Sequence, residues 1–311
     1  RTPSVKFYLK FLFFLFTYLL KHKADYYFAE DVYTLGLVSI FGKLRKKKIF
    51  YNSRELYPYL AGLRNRKLIQ FGLASIEKVF IRFPDFVLTT GDMDSEFLQN
   101  HYKIKNVIVL RNLPALFNDF VKVDLHKLLS IPQNSFILLY QGVVIDGRGI
   151  KIGIQLLQKY SNMHFVVLGE GEKKNYLQEY ANSIGVGSRV HFIGSIKQED
   201  LISYTASADL GLALIENISL SYYYALPSKL FEYIMAEIPV LCSNLPQMKR
   251  IIKQYNVGRY VDLDIIESLD RILSEIISNK ELMLVFKENC KLAKKELNWE
   301  NEFKKLEEKI L

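Results

Sequence analysis

A lysine and a glutamate at the start of one predicted helix could together bind a nucleotide. Pro227 and Ser228 are typical of a helix start, and they follow an apolar strand at residues 210–215. Lys229 falls in the first turn, where backbone N–H groups attract an anion. Glu232 lies close enough to the same end to accept hydrogen bonds from ribose hydroxyls. The structural alternative is that Ser228 and Glu232 are ordinary capping residues.

Two glycine-containing turns follow earlier strands of the same half of the chain. Gly142 begins a turn that contains Arg148, whose guanidinium could bind phosphate oxygens. Glu170 and Gly171 lie in the second turn. Ligands of parallel sheets bind beyond the carboxyl ends of the strands, where such turns occur. Either turn alone is weak evidence, because any strand-to-helix connection of this kind needs a tight turn.

The elements that would position these residues form two blocks in which strand and helix patterns alternate. This alternation predicts an α/β protein with parallel sheets, and nearly all-apolar strands are typical of sheets buried on both faces. The predicted strands lie at residues 25–28, 48–52, 85–89, 106–110, 136–140, 164–168, 190–193, 210–215, 239–242 and 259–261. The predicted helices lie at residues 68–80, 150–160, 174–184, 198–206, 229–236 and 247–255, with one or two charged helices over 281–311.

Composition excludes several other classes. The 311 residues are half hydrophobic and 24% charged, as in globular proteins. Cys242 and Cys290 make neither a metal cluster nor a disulfide framework, which fits a reducing cytosol. The net charge of +9 comes without a zinc-finger spacing or an RNP-type motif. Anionic small molecules or anionic membrane surfaces are therefore better partners for this charge than nucleic acid.

The amino-terminal segment is basic and apolar. Residues 1–23 contain five Lys and Arg and no acid, and the uncharged run 11–20 is about half of the roughly 20 residues that span a bilayer. The favoured interpretation is a helix buried between the sheet and its neighbours. The alternative is a helix that, with the basic run 45–48, rests on anionic lipid. Because the chain begins with Arg1 and no first strand is recognisable, we expect further sequence upstream.

Three segments carry a family resemblance. Residues 209–216, 225–241 and 256–258 resemble the retaining glycosyltransferases of the GT-B fold, family four, also called group 1 glycosyltransferases. The resemblance covers residues 136–261 and is looser at 48–57. It implies two Rossmann-like parallel-sheet domains that face a cleft, with the amino-terminal one incomplete. We expect an acceptor-side domain at 1–114, a donor domain at 115–292, and a helix at 293–311 that could pack back on the first domain.

The resemblance also implies roles for individual residues. Glu232 would hold the ribose, Arg148 and Lys229 would neutralise the pyrophosphate, and Gly142 would let the backbone approach the phosphates. The remaining donor-binding residues would line the nucleotide pocket, face the sugar or flank Lys229, and they are Glu170, Gly171, Tyr222, Tyr224, Leu226, Ser228 and Leu230. The predicted catalytic residues are Arg54, Arg148 and Lys229. No metal or other cofactor is expected, since the nucleoside-diphosphate-sugar is a co-substrate.

The implied function is transfer of a sugar to a saccharide or lipid-linked acceptor, with retention, in surface polysaccharide synthesis. The expected location is the cytoplasm or the inner face of the cell membrane. Three positions depart from the family pattern: Tyr224 replaces an expected glutamate, Val143 an expected basic residue, and Arg54 an expected histidine. Two alternatives stay open, a nucleotide-sugar-binding partner without catalysis and a sugar-nucleotide epimerase of the same fold. The five histidines show no cluster that would favour the epimerase.

Overall fold

The computed structural model describes residues 5–310, and the chain divides into two compact units. The first unit comprises Arg1–Arg111 and Ser219–Tyr224. The second comprises Asn112–Ile218 and Ala225–Leu311. Residues 219–224 therefore belong by their contacts to the first unit, although both chain neighbours of this segment belong to the second.

Helices and strands alternate along most of the described chain. The strands are β1 Tyr26–Ala29, β2 Lys48–Ser53, β3 Phe86–Thr89, β4 Val107–Val109, β5 Phe136–Gln141, β6 Met163–Leu168, β7 Val190–Gly194, β8 Leu210–Ala213, β9 Val240–Ser243 and β10 Gly258–Val261. The helices are α1 Val5–Lys21, α2 Val32–Leu44, α3 Lys67–Phe80, α4 Asp92–Tyr102, α5 Leu125–Leu128, α6 Ile150–Leu156, α7 Lys174–Ser183, α8 Gln198–Thr205, α9 Leu220–Tyr223, α10 Ser228–Met235, α11 Pro246–Tyr255, α12 Ile266–Ser278, α13 Lys280–Ala293 and α14 Trp299–Ile310. Three 3-10 turns lie at Tyr57–Tyr59, Ala61–Leu63 and Gly187–Arg189.

The first unit contains a parallel sheet of four strands in the order β1-β2-β3-β4. Phe28, Phe50 and Phe86 are register partners on successive strands, and their rings stack. Because each strand lies beside the one that precedes it in the chain, right-handed crossovers place all the connecting helices on one face of such a sheet. The helices α1 and α3 both pack on α2.

A buried glutamate ties the helices of this unit to its sheet. Glu77 of α3 accepts hydrogen bonds from the hydroxyl groups of Tyr51 and Tyr102, each at 2.6 Å. These tyrosines lie on β2 and α4, so one carboxylate joins three elements. Burial raises the pKa of Glu77, and the two hydrogen bonds oppose that rise. The carboxylate is therefore a structural group of the core.

The helix α1 differs from the buried helix that the sequence favours. Leu19 is buried, and Phe16 packs edge-on against Phe41 of α2. On its outward face, however, Phe13 is 71% and Phe14 64% exposed. Within residues 5–310 no helix combines the length and apolar character needed to cross a membrane. The prediction of a helix covered on all sides is therefore wrong for the described chain, because the helix has a packing partner on one side only.

The second unit contains a parallel sheet of six strands in the order β10-β9-β8-β5-β6-β7. Numbered within the unit, this is the 3-2-1-4-5-6 order of a Rossmann fold, whose direction reverses between β5 and β8. A crevice beyond the carboxyl ends of these two strands is the expected ligand site of such a sheet. The α/β prediction with two parallel sheets is confirmed.

Most predicted elements of the second unit lie within two residues of the observed ones. Three differences are larger: the predicted helix at 150–160 ends at Leu156, and α5 and α12 were not predicted. The closing helix α14 belongs to the second unit. Its first residue, Trp299, donates a backbone hydrogen bond of 2.8 Å to the carbonyl of Pro114.

Candidate functional site

The glycine turns after β5 and β6 lie against each other at the carboxyl edge of the second sheet. The backbone N–H of Gly142 donates to the carbonyl of Leu168 at 2.9 Å, and Gly142 has a φ of +124°. A Cβ on Gly169 would lie 1.9 Å from the carbonyl oxygen of Gly142, and one on Gly171 would lie 2.2 Å from that of Val144. Side chains therefore have no room at Gly169 and Gly171, because the two turns pack backbone against backbone.

Lys229 lies in the first turn of α10 with its amino group beside these turns. The side chain is 8% exposed, and Nζ lies 3.6 Å from the centroid of the Tyr140 ring. A Cβ on Gly142 would come within 3.3 Å of the same Nζ. Burial holds the pKa of Lys229 well below its usual value, the guanidinium of Arg148 lowers it further, and Glu232 opposes both. The structure thus brings Gly142, Arg148 and Lys229 together.

Glu232 lies one turn further along α10, and neighbouring polar groups hold its carboxylate. The amide Nε2 of Gln141 donates to Oε2 of Glu232 at 2.5 Å. Burial raises the pKa of Glu232, while the hydrogen bond from Gln141, the charge of Lys229 and a hydrogen bond from Ser228 lower it. The net direction is upward. Glu232 as a whole is only partly buried.

This arrangement suits a ligand that joins a polyanion to a diol. Arg148 and Lys229 place two cationic side chains at one end of α10, where the helix dipole also favours negative charge. Glu232 supplies an acceptor for neighbouring hydroxyl groups. A bound polyanion would also relieve the unfavourable burial of the Lys229 charge.

The other predicted donor residues of the second unit occupy different environments. Glu170 lies in the turn after β6, and its half-exposed carboxylate accepts a hydrogen bond of 2.7 Å from Lys174. Leu226 is half-buried. Leu230 is fully buried, so its side chain belongs to the core and only its backbone can meet a ligand.

Three predicted residues, Arg54, Tyr222 and Tyr224, lie in the first unit. Tyr224 packs edge-on against Phe97 of α4, with 6.3 Å between the ring centroids, and Tyr222 lies in the same segment. Arg54 follows β2, and its guanidinium pairs with the carboxylate of Glu30, which follows β1. Arg54 and Glu30 both lie at the carboxyl edge of the first sheet.

Sequence reasoning missed Gln141, Thr205 and Tyr140. Gln141 is buried at the end of β5, where its amide contacts both Glu232 and Thr205. A polar residue that closes an otherwise apolar strand is a signal that could have been noticed, since a buried amide needs partners. The position of Tyr140 under the Lys229 amino group carries no local signal.

Residues 5–310 contain no group of three or more His, Cys, Asp or Glu side chains arranged to hold a metal ion. His164 and His191 are neighbours, with 3.0 Å between Nδ1 and Nε2, and they lie on β6 and β7. Burial lowers the pKa of His164 to about 4, with further lowering by His191 and Arg189. This pair therefore stays neutral near neutral pH.

Comparison with known proteins gives consistent similarities. A lipopolysaccharide core biosynthesis glycosyltransferase of Rhizobium meliloti is 23% identical over 162 residues, which are 52% of this chain and 45% of that protein. Sucrose-phosphate synthase from Thermosynechococcus elongatus superposes with a TM-score of 0.80 at 17% identity, over 99% of this chain and 79% of that one. Anabaena HepE in complex with UDP-glucose superposes with a TM-score of 0.79 at 14% identity, over 95% and 81%.

The structural similarities show the fold, which is GT-B. The curated relatives are matched over about half of their own length or less, between 40% and 56%. The sequence profile described as "Glycosyl transferases group 1" matches residues 122–293, which are more than half of the chain. This range includes every residue of the Gly142, Arg148, Lys229 and Glu232 group. The chain therefore belongs to the group 1 glycosyltransferases.

Proposed function

We propose that this protein transfers a sugar from a nucleoside-diphosphate-sugar to a saccharide or lipid-linked acceptor in polysaccharide synthesis. The observation that carries the proposal is the group of Gly142, Arg148, Lys229 and Glu232 at the reversal point of the six-stranded sheet. HepE, which has a similar fold, holds UDP-glucose in its crystal structure. The similarity to a lipopolysaccharide core glycosyltransferase supports the polysaccharide context.

The chemistry of donor cleavage suits these side chains. As the bond between the sugar and the diphosphate breaks, negative charge grows on the leaving oxygen. Arg148 and Lys229, with the amino end of α10, bind that charge more strongly in the transition state than in the ground state. In this proposal no metal takes part, and the two side chains neutralise the diphosphate. Retention of the anomeric configuration is part of the proposal and follows the family resemblance.

A panel of nucleotide sugars tests the donor assignment. A donor at 100 times its Kd stabilises the folded protein by about 2.7 kcal/mol, which a thermal melt detects. NMR of the product anomer then tests retention. A protein that binds the donor but neither transfers nor hydrolyses the sugar would be a nucleotide-sugar-binding partner, the alternative that the Arg54 and Tyr224 departures permit.

Replacing Arg54 tests its predicted catalytic role. If the guanidinium stabilises the negative charge that grows on the leaving oxygen, Arg54→Ala should lower the rate of donor cleavage by about 10²-fold and change donor affinity little. The measurement is kcat and KM for cleavage of the donor that the panel identifies. The control is Glu30→Gln, which loosens Arg54 without removing it. A rate unchanged in Arg54→Ala would leave the Glu30 pair as a surface ion pair of small effect.

We further propose a cytoplasmic location in which the helical face of the first unit docks on anionic lipid. The helices α1, α2 and α3 hold six lysines and one acid, and that acid is the buried Glu77. Apolar side chains lie exposed among these cations, including Phe13 of α1 and Leu68 of α3, which is 88% exposed. Exposed apolar groups surrounded by cations are the features of an interfacial helix.

The basic run at 45–48 contributes less to lipid docking than its charge implies. Arg45 donates hydrogen bonds to the carbonyls of Leu19 and His22 at the end of α1, and to the hydroxyl of Tyr27. Lys47 pairs with Asp25 at 2.6 Å. Arg45 holds the end of α1 in place and Lys47 is paired with Asp25, which leaves the helix lysines as the principal cations for lipid.

Co-sedimentation with vesicles tests this docking. Binding should require anionic lipid and fall with salt, since each basic residue near the surface contributes about 1 kcal/mol. Phe13→Ser with Phe14→Ser should release the protein. Leu284→Ser with Leu292→Ser removes equally exposed leucines from α13 of the second unit and should change nothing. Equal binding to neutral and anionic vesicles, or none at low salt, would contradict the proposal.

A further inference from the structure

The amide of Gln141 lies between two partners of opposite hydrogen-bonding character. Its Nε2 donates to the Glu232 carboxylate at 2.5 Å, and its Oε1 accepts from the hydroxyl of Thr205 at 2.7 Å. The backbone N–H of Gln141 donates to the hydroxyl of Tyr233 at 3.1 Å, which ties the strand end to α10 beside Glu232. Gln141 and Thr205 are both buried, so neither group has water as a substitute partner.

These partners allow only one orientation of the amide when Glu232 is ionised. A carboxylate accepts hydrogen bonds and donates none, so the NH₂ end of the amide must face it. The carbonyl end then needs a donor, and the Thr205 hydroxyl is within reach. This hydroxyl also lies 2.7 Å from the carbonyl of Leu201, so it has two acceptors for one proton. Glu232 therefore determines which end of Gln141 faces it, and the Thr205 hydroxyl is the donor within reach of the other end.

The amide also determines how Glu232 presents itself to a ligand. Gln141 occupies Oε2 of the carboxylate, and Ser228 gives a further hydrogen bond to the same side chain. Without the amide, a glutamate on the first turns of a helix has several low-energy rotamers. With it, the acceptor positions that Gln141 and Ser228 leave are held in one place. A diol that binds two of these positions then meets a carboxylate that is already ordered.

We propose that Thr205 and Gln141 form a relay that positions Glu232 to bind the two ribose hydroxyls of the donor, so that Gln141 is a positioning residue for sugar-nucleotide recognition. The inference rests on the proposed function and adds residues on β5 and α8 to the site. It separates ribose recognition, which depends on the relay, from diphosphate recognition by Arg148 and Lys229.

The experiment compares two ligands on matched variants. UDP and 2′,3′-dideoxy-UDP share the base and the diphosphate, and they differ only in the hydroxyls that Glu232 would bind; GDP and ADP with their dideoxy forms serve if the panel selects another base. The wild-type protein should prefer the ribonucleotide. Gln141→Leu keeps the size of the side chain and removes the donor, and it should reduce that preference about tenfold while the dideoxy nucleotide binds unchanged.

Thr205 supplies a second pair of variants in case Gln141→Leu does not fold. Thr205→Val removes the hydroxyl and should reduce the preference, and Thr205→Ser keeps the hydroxyl and should restore it. In a Glu232→Ala background, Gln141→Leu should have no further effect on the preference, because the group that it positions is gone.

Each outcome supports or overturns the relay. If Gln141→Leu weakens both ligands equally, the amide is only structural and the relay is overturned. If Glu232→Ala removes the preference but Gln141→Leu and Thr205→Val do not, the relay is overturned and the ribose role of Glu232 stands. If the wild-type protein binds no nucleoside diphosphate, the proposed function fails, and the relay fails with it.

Discussion

Replacing Glu232 with alanine is expected to weaken binding of the donor by about 10² to 10⁴-fold. The carboxylate would accept charge-assisted hydrogen bonds from two ribose hydroxyls, each worth about 1.5–3 kcal/mol. Its position supports this estimate, because Gln141 and Ser228 hold the carboxylate and the residue is only partly buried. Isothermal calorimetry with the donor that stabilises the wild-type protein most is the direct measurement.

The matched control for this prediction is Glu199→Ala. Glu199 lies in the first turn of α8 and is exposed, so Glu199→Ala removes the same charge from the same unit. Its replacement should leave donor affinity unchanged, and both variants should melt at similar temperatures. Donor affinity in Glu232→Ala equal to that of the wild type would refute the ribose role.

Replacing Lys229 with methionine is expected to weaken nucleoside diphosphate binding by about 10 to 10²-fold and to leave the uncharged nucleoside almost unaffected. Methionine keeps most of the buried chain over the Tyr140 ring and removes the charge. A hydrogen bond from a charged amine to a phosphate is worth about 1.5–3 kcal/mol. Equal losses for the diphosphate and the nucleoside would show that the side chain only packs.

Binding of a nucleoside diphosphate should be coupled to protonation of Lys229. In the free protein, burial and the charge of Arg148 hold the pKa of Lys229 well below its usual value. A bound diphosphate places negative charge beside the amine and must raise that pKa. Above the free pKa, binding therefore takes up a proton, and affinity should decline as the pH rises.

Calorimetry in buffers of different ionisation enthalpy measures this uptake. The wild-type protein should show a buffer-dependent enthalpy at pH values between the free and the bound pKa of Lys229, and Lys229→Met should show less. Lys197→Met, at an exposed lysine of the same unit, should behave like the wild type. Uptake that persists unchanged in Lys229→Met would assign the proton to another group.

Local sequence patterns were sufficient for the architecture of the sheets and for the start of α10. Apolar runs such as residues 136–140 have few ways to exclude water other than as buried parallel strands, so their interpretation depends little on distant residues. Pro227 and Ser228 favour a helix start through backbone geometry that is local in the chain. For the same reason Lys229 and Glu232 were found from their places in one helix.

Only the tertiary structure decided which partners these side chains meet. Gln141 and Glu232 are 91 positions apart in the chain, and Gln141 and Thr205 are 64 apart, so no local pattern relates them. The burial of Leu230 depends on the rotation of α10 about its axis, which packing on the sheet determines. The exposed face of α1 likewise depends on its having α2 as a packing partner on one side only. The sequence by itself determined most of the helices and strands and the charged residues Arg148, Lys229 and Glu232 of the site. Long-range packing determined the orientation of each side chain, because orientation depends on contacts that the chain makes only after it folds.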